Sequence, residues 1–108
     1  MLISMISSQT ILQAAATLKE AAPPGSRVVL FGSYAKGRPR PDSDLDFMVI
    51  EPHVSGRHAE MNRLARVLRP LRLPVDVLVT SEATFLQWKD AKSTIYNEVA
   101  TSGKVLYG

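Results

Sequence analysis

Apolar residues recur at three- and four-residue steps early in the chain: Ile11, Ala14, Ala15, Leu18 and Ala22. That period marks one face of a helix, which Ser7 or Ser8 is placed to cap. Pro23-Pro24-Gly25 ends it, because proline removes the amide that the next turn needs. The pattern then changes. Arg27 to Phe31 is a short β-branched and apolar run, read as a buried strand. Asp44 to Glu51 is a second strand, with Leu45, Phe47 and Val49 on one face. The stretch between them, Gly32 to Asp42, holds two glycines and two prolines, and so reads as a loop with room for one helical turn.

Helical periodicity returns over about Arg57 to Arg69, where Met61, Leu64, Ala65, Leu68 and Leu71 form the expected buried stripe and Arg63 and Arg66 point away. Val75 to Val79 is a third strand. Thr80 or Ser81 caps a short helix through Trp88. A last helix runs from Ser93 to about Ser102, with Ile95, Val99 and Tyr96 facing inward and Gly103 as its stop. Lys104 to Tyr107 fits an edge strand. The order α-β-β-α-β-α-α-β predicts an α/β (α+β) domain, a small mixed sheet with helices against it.

Composition narrows the chemistry more than it narrows the fold. With 108 residues, one domain over 1–108 is expected, large enough for one core without staples. There is no cysteine, which excludes a disulfide scaffold, a thiolate zinc site and a cysteine nucleophile. His53 and His58 are the only imidazoles, so a three-histidine metal site is excluded too. Function is left to oxygen ligands, hydroxyls and backbone amides. Met1 to Ile6 is apolar but lacks a basic flank and is shorter than the ~20 residues of a membrane span, so a cytoplasmic protein with no membrane association is expected. The net charge of +3 is compatible with polyanionic partners and diagnoses none.

The informative stretch is Gly32-Ser33-Tyr34-Ala35-Lys36-Gly37, followed by Ser43-Asp44-Leu45-Asp46. A strand that ends in Gly-Ser lets amides and a hydroxyl approach an anion closely, since glycine carries no Cβ. Gly32 and Gly37 share the spacing of a Walker A loop, but Arg38-Pro39 stand where Lys and Ser/Thr are needed, so a P-loop is not supported. No Gly-x-Gly-x-x-Gly is present either. Asp44 and Asp46 sit two apart at a strand start, on one face. Two such carboxylates repel, and a hard cation such as Mg²⁺ or Mn²⁺ would neutralise them. The plainer reading is a turn at Asp42 to Asp44 with Asp46 on a solvated face, yet the apolar run Phe47 to Ile50 follows directly. Asp76 interrupts another apolar strand. It either pairs with Arg69 or Arg72, or joins Asp44 and Asp46 in a cluster able to hold two metal ions and accept a proton from an attacking hydroxyl.

Gly32-Ser33, ten residues, then Asp44-Leu45-Asp46, with Asp76 on a later strand, resembles the signature of the DNA polymerase β-like nucleotidyltransferase superfamily. The small size and the wording Gly-Ser-Tyr-Ala-Lys-Gly…Ser-Asp-Leu-Asp look like its minimal nucleotidyltransferase (MNT) branch, over nearly the whole chain. The resemblance implies the nucleotidyltransferase fold. Gly32 and Ser33 would hold the β/γ phosphates of a nucleoside triphosphate; Asp44, Asp46 and Asp76 would bind Mg²⁺ or Mn²⁺ and form the catalytic set. It implies transfer of AMP from ATP to a hydroxyl, releasing pyrophosphate. MNT proteins are often antitoxins that bind, and in some systems AMPylate, a HEPN-domain ribonuclease toxin. A HEPN partner presenting the acceptor is therefore expected, the more so because the chain has few residues for an acceptor pocket of its own.

Lys36, Arg38 and Arg40 flank the turn and are candidates to contact phosphate, Lys36 foremost, since cationic side chains bind phosphate oxygens. Two other readings are carried forward: an antitoxin that acts by occlusion with an idle site, and a nucleic-acid-binding domain using Arg57, Arg63, Arg66, Arg69 and Arg72. The latter series lacks interleaved aromatic residues, and the wet face of an amphipathic helix explains it equally well. Phe85 and Trp88, three apart, are expected to anchor a core, although an exposed pair would suit a partner surface.

Overall fold

The computed structural model describes residues 5–108, so most of the apolar opening segment lies outside the described residues. Ser7 caps α1 (Ser8–Ala21) by accepting from the Thr10 N–H at 3.1 Å. The chain continues through β1 (Arg27–Phe31), β2 (Leu45–Glu51), α2 (Arg57–Val67), β3 (Val75–Ser81), α3 (Glu82–Trp88), α4 (Ile95–Ser102) and β4 (Lys104–Tyr107). This is the predicted order, with one addition. Pro70 disfavours helical backbone at the residue before it, so α2 stops at Val67 and a 3-10 turn, Arg69–Leu71, carries the chain onward.

The four strands form one mixed sheet in the order β3-β2-β1-β4. β1 pairs antiparallel with β2 and with β4, while β2 and β3 run parallel. A parallel pair needs a crossover, and α2 supplies it.

Alternation along the strands divides the core into two layers. Leu45, Phe47 and Val49, with Val28, Leu30, Val77 and Val79, pack on Ile11, Ala14, Ala15 and Leu18 of α1 and Leu64 of α2. Met48 and Ile50, with Val29 and Phe31, pack on Phe85 of α3 and Val99 of α4. The helices thus cover both faces. Three expected core positions differ. The buried stripe of α2 is centred on Leu64 and Leu68, and Ala65, about 100° from Leu64, turns to solvent. Ile95, the first residue of α4, is 37% exposed, and Val99 and half-buried Tyr96 carry the inward face. Phe85 anchors the second layer as expected, whereas Trp88 is 44% exposed. Among the described residues, no helix is long and apolar enough to cross a membrane.

Candidate active site

Register brings the sequence-predicted aspartates together. Asp46 of β2 stands opposite Asp76 of parallel β3, and on its other side opposite Phe31, the last residue of β1. Adjacent strands lie about 4.8 Å apart, so the two carboxylates leave the same sheet face side by side. That face is the one roofed by α3 and α4; Met48 and Ile50 continue the row from Asp46 into the apolar layer. Asp44 lies one residue before β2 and is exposed, as is Asp76. The Leu45 N–H donates to the Pro74 carbonyl at 2.8 Å, which ties the entries of β2 and β3 to each other.

Gly32 follows Phe31 in the left-handed region at φ 79°. Its missing Cβ matters here: an Asp46 carboxylate oxygen fills the space a Cβ would take. The chain then makes the one helical turn the loop has room for. The Lys36 N–H donates to the Gly32 carbonyl at 3.1 Å and the Arg38 N–H to the Ser33 carbonyl at 2.9 Å. Buried Ala35 roots the turn, and the Tyr34 hydroxyl accepts from the Ile6 N–H at 3.2 Å. Among the described residues, the amides of Ser33, Tyr34 and Ala35 make no backbone hydrogen bond.

The cluster is electrostatically unsatisfied. Burial, then the negative charges of Asp76, Asp44 and Glu98, push the Asp46 carboxyl from 3.8 up to about 6. The alternative in which Arg69 or Arg72 pairs with Asp76 is not realised: among the described residues, no cationic side chain lies within salt-bridge distance of Asp76. Glu98, on α4, is a neighbour that the sequence pattern did not reveal; its Oε2 lies 3.5 Å from the Lys36 Nζ. Among the described residues, no three His, Cys, Asp or Glu side chains already surround one point in ligating positions. The donor set nonetheless suits a hard divalent cation: every acid is a carboxylate, and the crowding that raises Asp46 is what such a cation relieves.

A second acidic group lies at the far end of β2. Glu51 is 2% exposed, and one of its oxygens has no hydrogen-bond partner. Burial and the neighbouring Glu60 push it up to about 8, while the Arg63 guanidinium, bonded to Glu60 at 2.7 Å, holds Glu60 down to about 2. Arg63 also donates to the Ala21 carbonyl at 2.9 Å, so this residue of the basic series fastens α2 to the end of α1.

Comparison with known proteins places the fold and the family. No curated protein matches the sequence. A chain in a crystal structure of a toxin–antitoxin with AMP-PNP is 24% identical with a TM-score of 0.65; the match covers 90% of this chain and 73% of that one. A chain in a complex of tri-AMPylated Shewanella oneidensis HEPN toxin with MNT antitoxin is 22% identical with a TM-score of 0.62, covering 94% and 73%. A chain in a mutant toxin–antitoxin MntA-HpeT is 22% identical with a TM-score of 0.63, covering 95% and 74%. These likenesses establish the nucleotidyltransferase fold. The nucleotidyltransferase domain family matches residues 11–100, a span that holds the Gly32-Ser33 turn and all three aspartates, and the chain belongs to that family.

Proposed function

We propose that the protein is a Mg²⁺- or Mn²⁺-dependent nucleotidyltransferase that transfers AMP from ATP to a hydroxyl on a HEPN-domain partner, as the antitoxin of a toxin–antitoxin pair. The observation that carries the chemistry is the register pair Asp46–Asp76 beside the Cβ-free wall of Gly32. The partner and nucleotide are supported by the structural neighbours, among which are a toxin–antitoxin with AMP-PNP and an AMPylated HEPN toxin in complex with an MNT antitoxin.

Asp44, Asp46 and Asp76 are the catalytic and metal-holding set in this reading. A divalent cation held there supplies the positive charge that neutralises the triphosphate and steadies the leaving pyrophosphate. The remaining work belongs to the chain. Gly32 gives the phosphates close access to backbone, and the Ser33 hydroxyl and neighbouring amides donate to phosphate oxygens. Lys36 adds a cation at the open edge of the turn. Asp76 accepts the proton of the acceptor hydroxyl as that oxygen bonds to the α-phosphorus and the bond to pyrophosphate breaks. The acceptor approaches from the exposed side, where Asp44 and Asp76 face solvent.

Nucleotide binding tests the reading without a partner. Calorimetric titration with a non-hydrolysable ATP analogue is expected to show cation-dependent binding that Asp46→Asn with Asp76→Asn abolishes. Binding that ignores both the cation and the two substitutions would overturn it.

A further inference from the structure

Lys36 and Glu98 join the turn after β1 to helix α4, with Nζ and Oε2 3.5 Å apart and side chains 47% and 33% exposed. Glu98 is the one carboxylate within salt-bridge distance of Lys36 among the described residues, and its charge also reaches Asp46. One acid therefore faces both the cation of the turn and the carboxylate cluster. Helix α4 does not need it for docking. Val99 anchors the helix in the core, Thr94 caps it by accepting from the Asn97 N–H, and the Asn97 side chain donates to the Lys89 carbonyl at 2.8 Å. Glu98 is thus spare to the fold and placed against the site.

Resting on the function proposed above, we propose that Glu98 is a positioning residue that holds the Lys36 ammonium at the edge of the cluster until a nucleoside triphosphate takes its place. The phosphates must displace Glu98 as the partner of Lys36 and must approach against its negative charge. Glu98 therefore sets the affinity of the site for triphosphates rather than the rate of transfer, and keeps the turn charge-compensated when no nucleotide is bound. Exposed ion pairs of this kind shift equilibria by about two- to five-fold.

The test is a double-mutant cycle read by titration of a non-hydrolysable ATP analogue with Mg²⁺, and by KM against kcat for transfer. Glu98→Gln is expected to tighten binding about two- to five-fold and to lower KM with kcat unchanged. In a Lys36→Met background the same substitution should give a clearly smaller gain, since only the repulsion between Glu98 and the phosphates is left to relieve. Unchanged or weaker binding by Glu98→Gln overturns the proposal, as does an equal gain with and without Lys36. Failure of the wild-type protein to bind the analogue at all overturns the underlying nucleotidyltransferase reading. Thermal melting of Glu98→Gln close to wild type is expected, and a large loss of stability would assign Glu98 to the fold instead.

Discussion

Asp46 stands in direct register with Asp76 across parallel strands β2 and β3, and its carboxyl is pushed up to about 6 by burial and by its acidic neighbours. The folded chain thus carries a repulsion that the unfolded chain lacks. Between pH 3.8 and about 6 the native state holds a proton that the unfolded state releases, so this group lowers stability as pH rises through that window. At pH 7 without divalent cation, Asp46→Asn is expected to raise stability by about 1 kcal/mol after allowing for solvent screening, or about 4–8 °C in Tm. Added Mg²⁺ should raise the Tm of the wild type and leave the variant unmoved. Thermal melts with and without the cation check both statements.

Gly32 is tested differently. Its φ of 79° disfavours any side chain, and the Asp46 carboxylate fills the Cβ position. Gly32→Ala is expected to cost about 1–2 kcal/mol from backbone strain alone. It should also displace the carboxylate, so nucleotide binding should fall further than stability does. Paired melting and titration curves separate the two losses.

The Glu51–Glu60–Arg63 group gives a pH signature remote from the aspartates. Glu51 is raised from 4.5 to about 8, so its protonated form favours folding and stability declines as pH climbs through that range. Glu60 is lowered to about 2, so its contribution is present above 4.5 and is lost on acidification towards 2. This group alone places the stability optimum near pH 4.5. Glu51→Gln keeps the shape and removes the titration, and at pH 8 it should exceed the wild type by at least about 1 kcal/mol. Chemical denaturation at pH 5 and pH 8 reads the difference directly.

Phe85 and Trp88 share one short helix but not one fate. Phe85 is 6% exposed and Trp88 44%. Phe85→Ala is expected to cost about 3–5 kcal/mol. Trp88→Ser should stay within about 1 kcal/mol of wild type, because much of its ring is already in water. A denaturation series on the two variants is sufficient.

Most of the architecture was legible because local signals agreed with one another. Ser7, Pro23, Ser81 and Gly103 punctuate the helices where capping and proline chemistry place the ends. The alternation in β2 assigned Leu45, Phe47 and Val49 to one layer, and all three are buried there. The juxtaposition of Asp46 and Asp76 and the turn at Gly32 were likewise legible, since carboxylates on otherwise apolar strands demand an explanation. Contacts that depend on how helices dock were not legible. Glu98 pairs with Lys36 and raises Asp46 through its charge only because α4 packs on the sheet face that carries Asp46, and no spacing within Ser93 to Ser102 encodes that. Arg63 is outward as its spacing predicts, but its bridge from Glu60 to the Ala21 carbonyl depends on how α1 and α2 dock. Glu51 did leave a trace: an acid that directly continues the apolar run Phe47 to Ile50 is a candidate for burial.

In the function proposed above, the aspartate cluster transfers a nucleotide to a protein acceptor. The most direct measurement incubates the protein with ATP labelled at the α-phosphate, Mg²⁺ and the product of the neighbouring gene, then follows label into that partner. Covalent labelling of the partner is expected, requiring the cation and disappearing in the Asp44→Ala, Asp46→Ala variant. An unlabelled partner that is bound and neutralised equally well by wild type and variant would contradict it and assign the protein to occlusion.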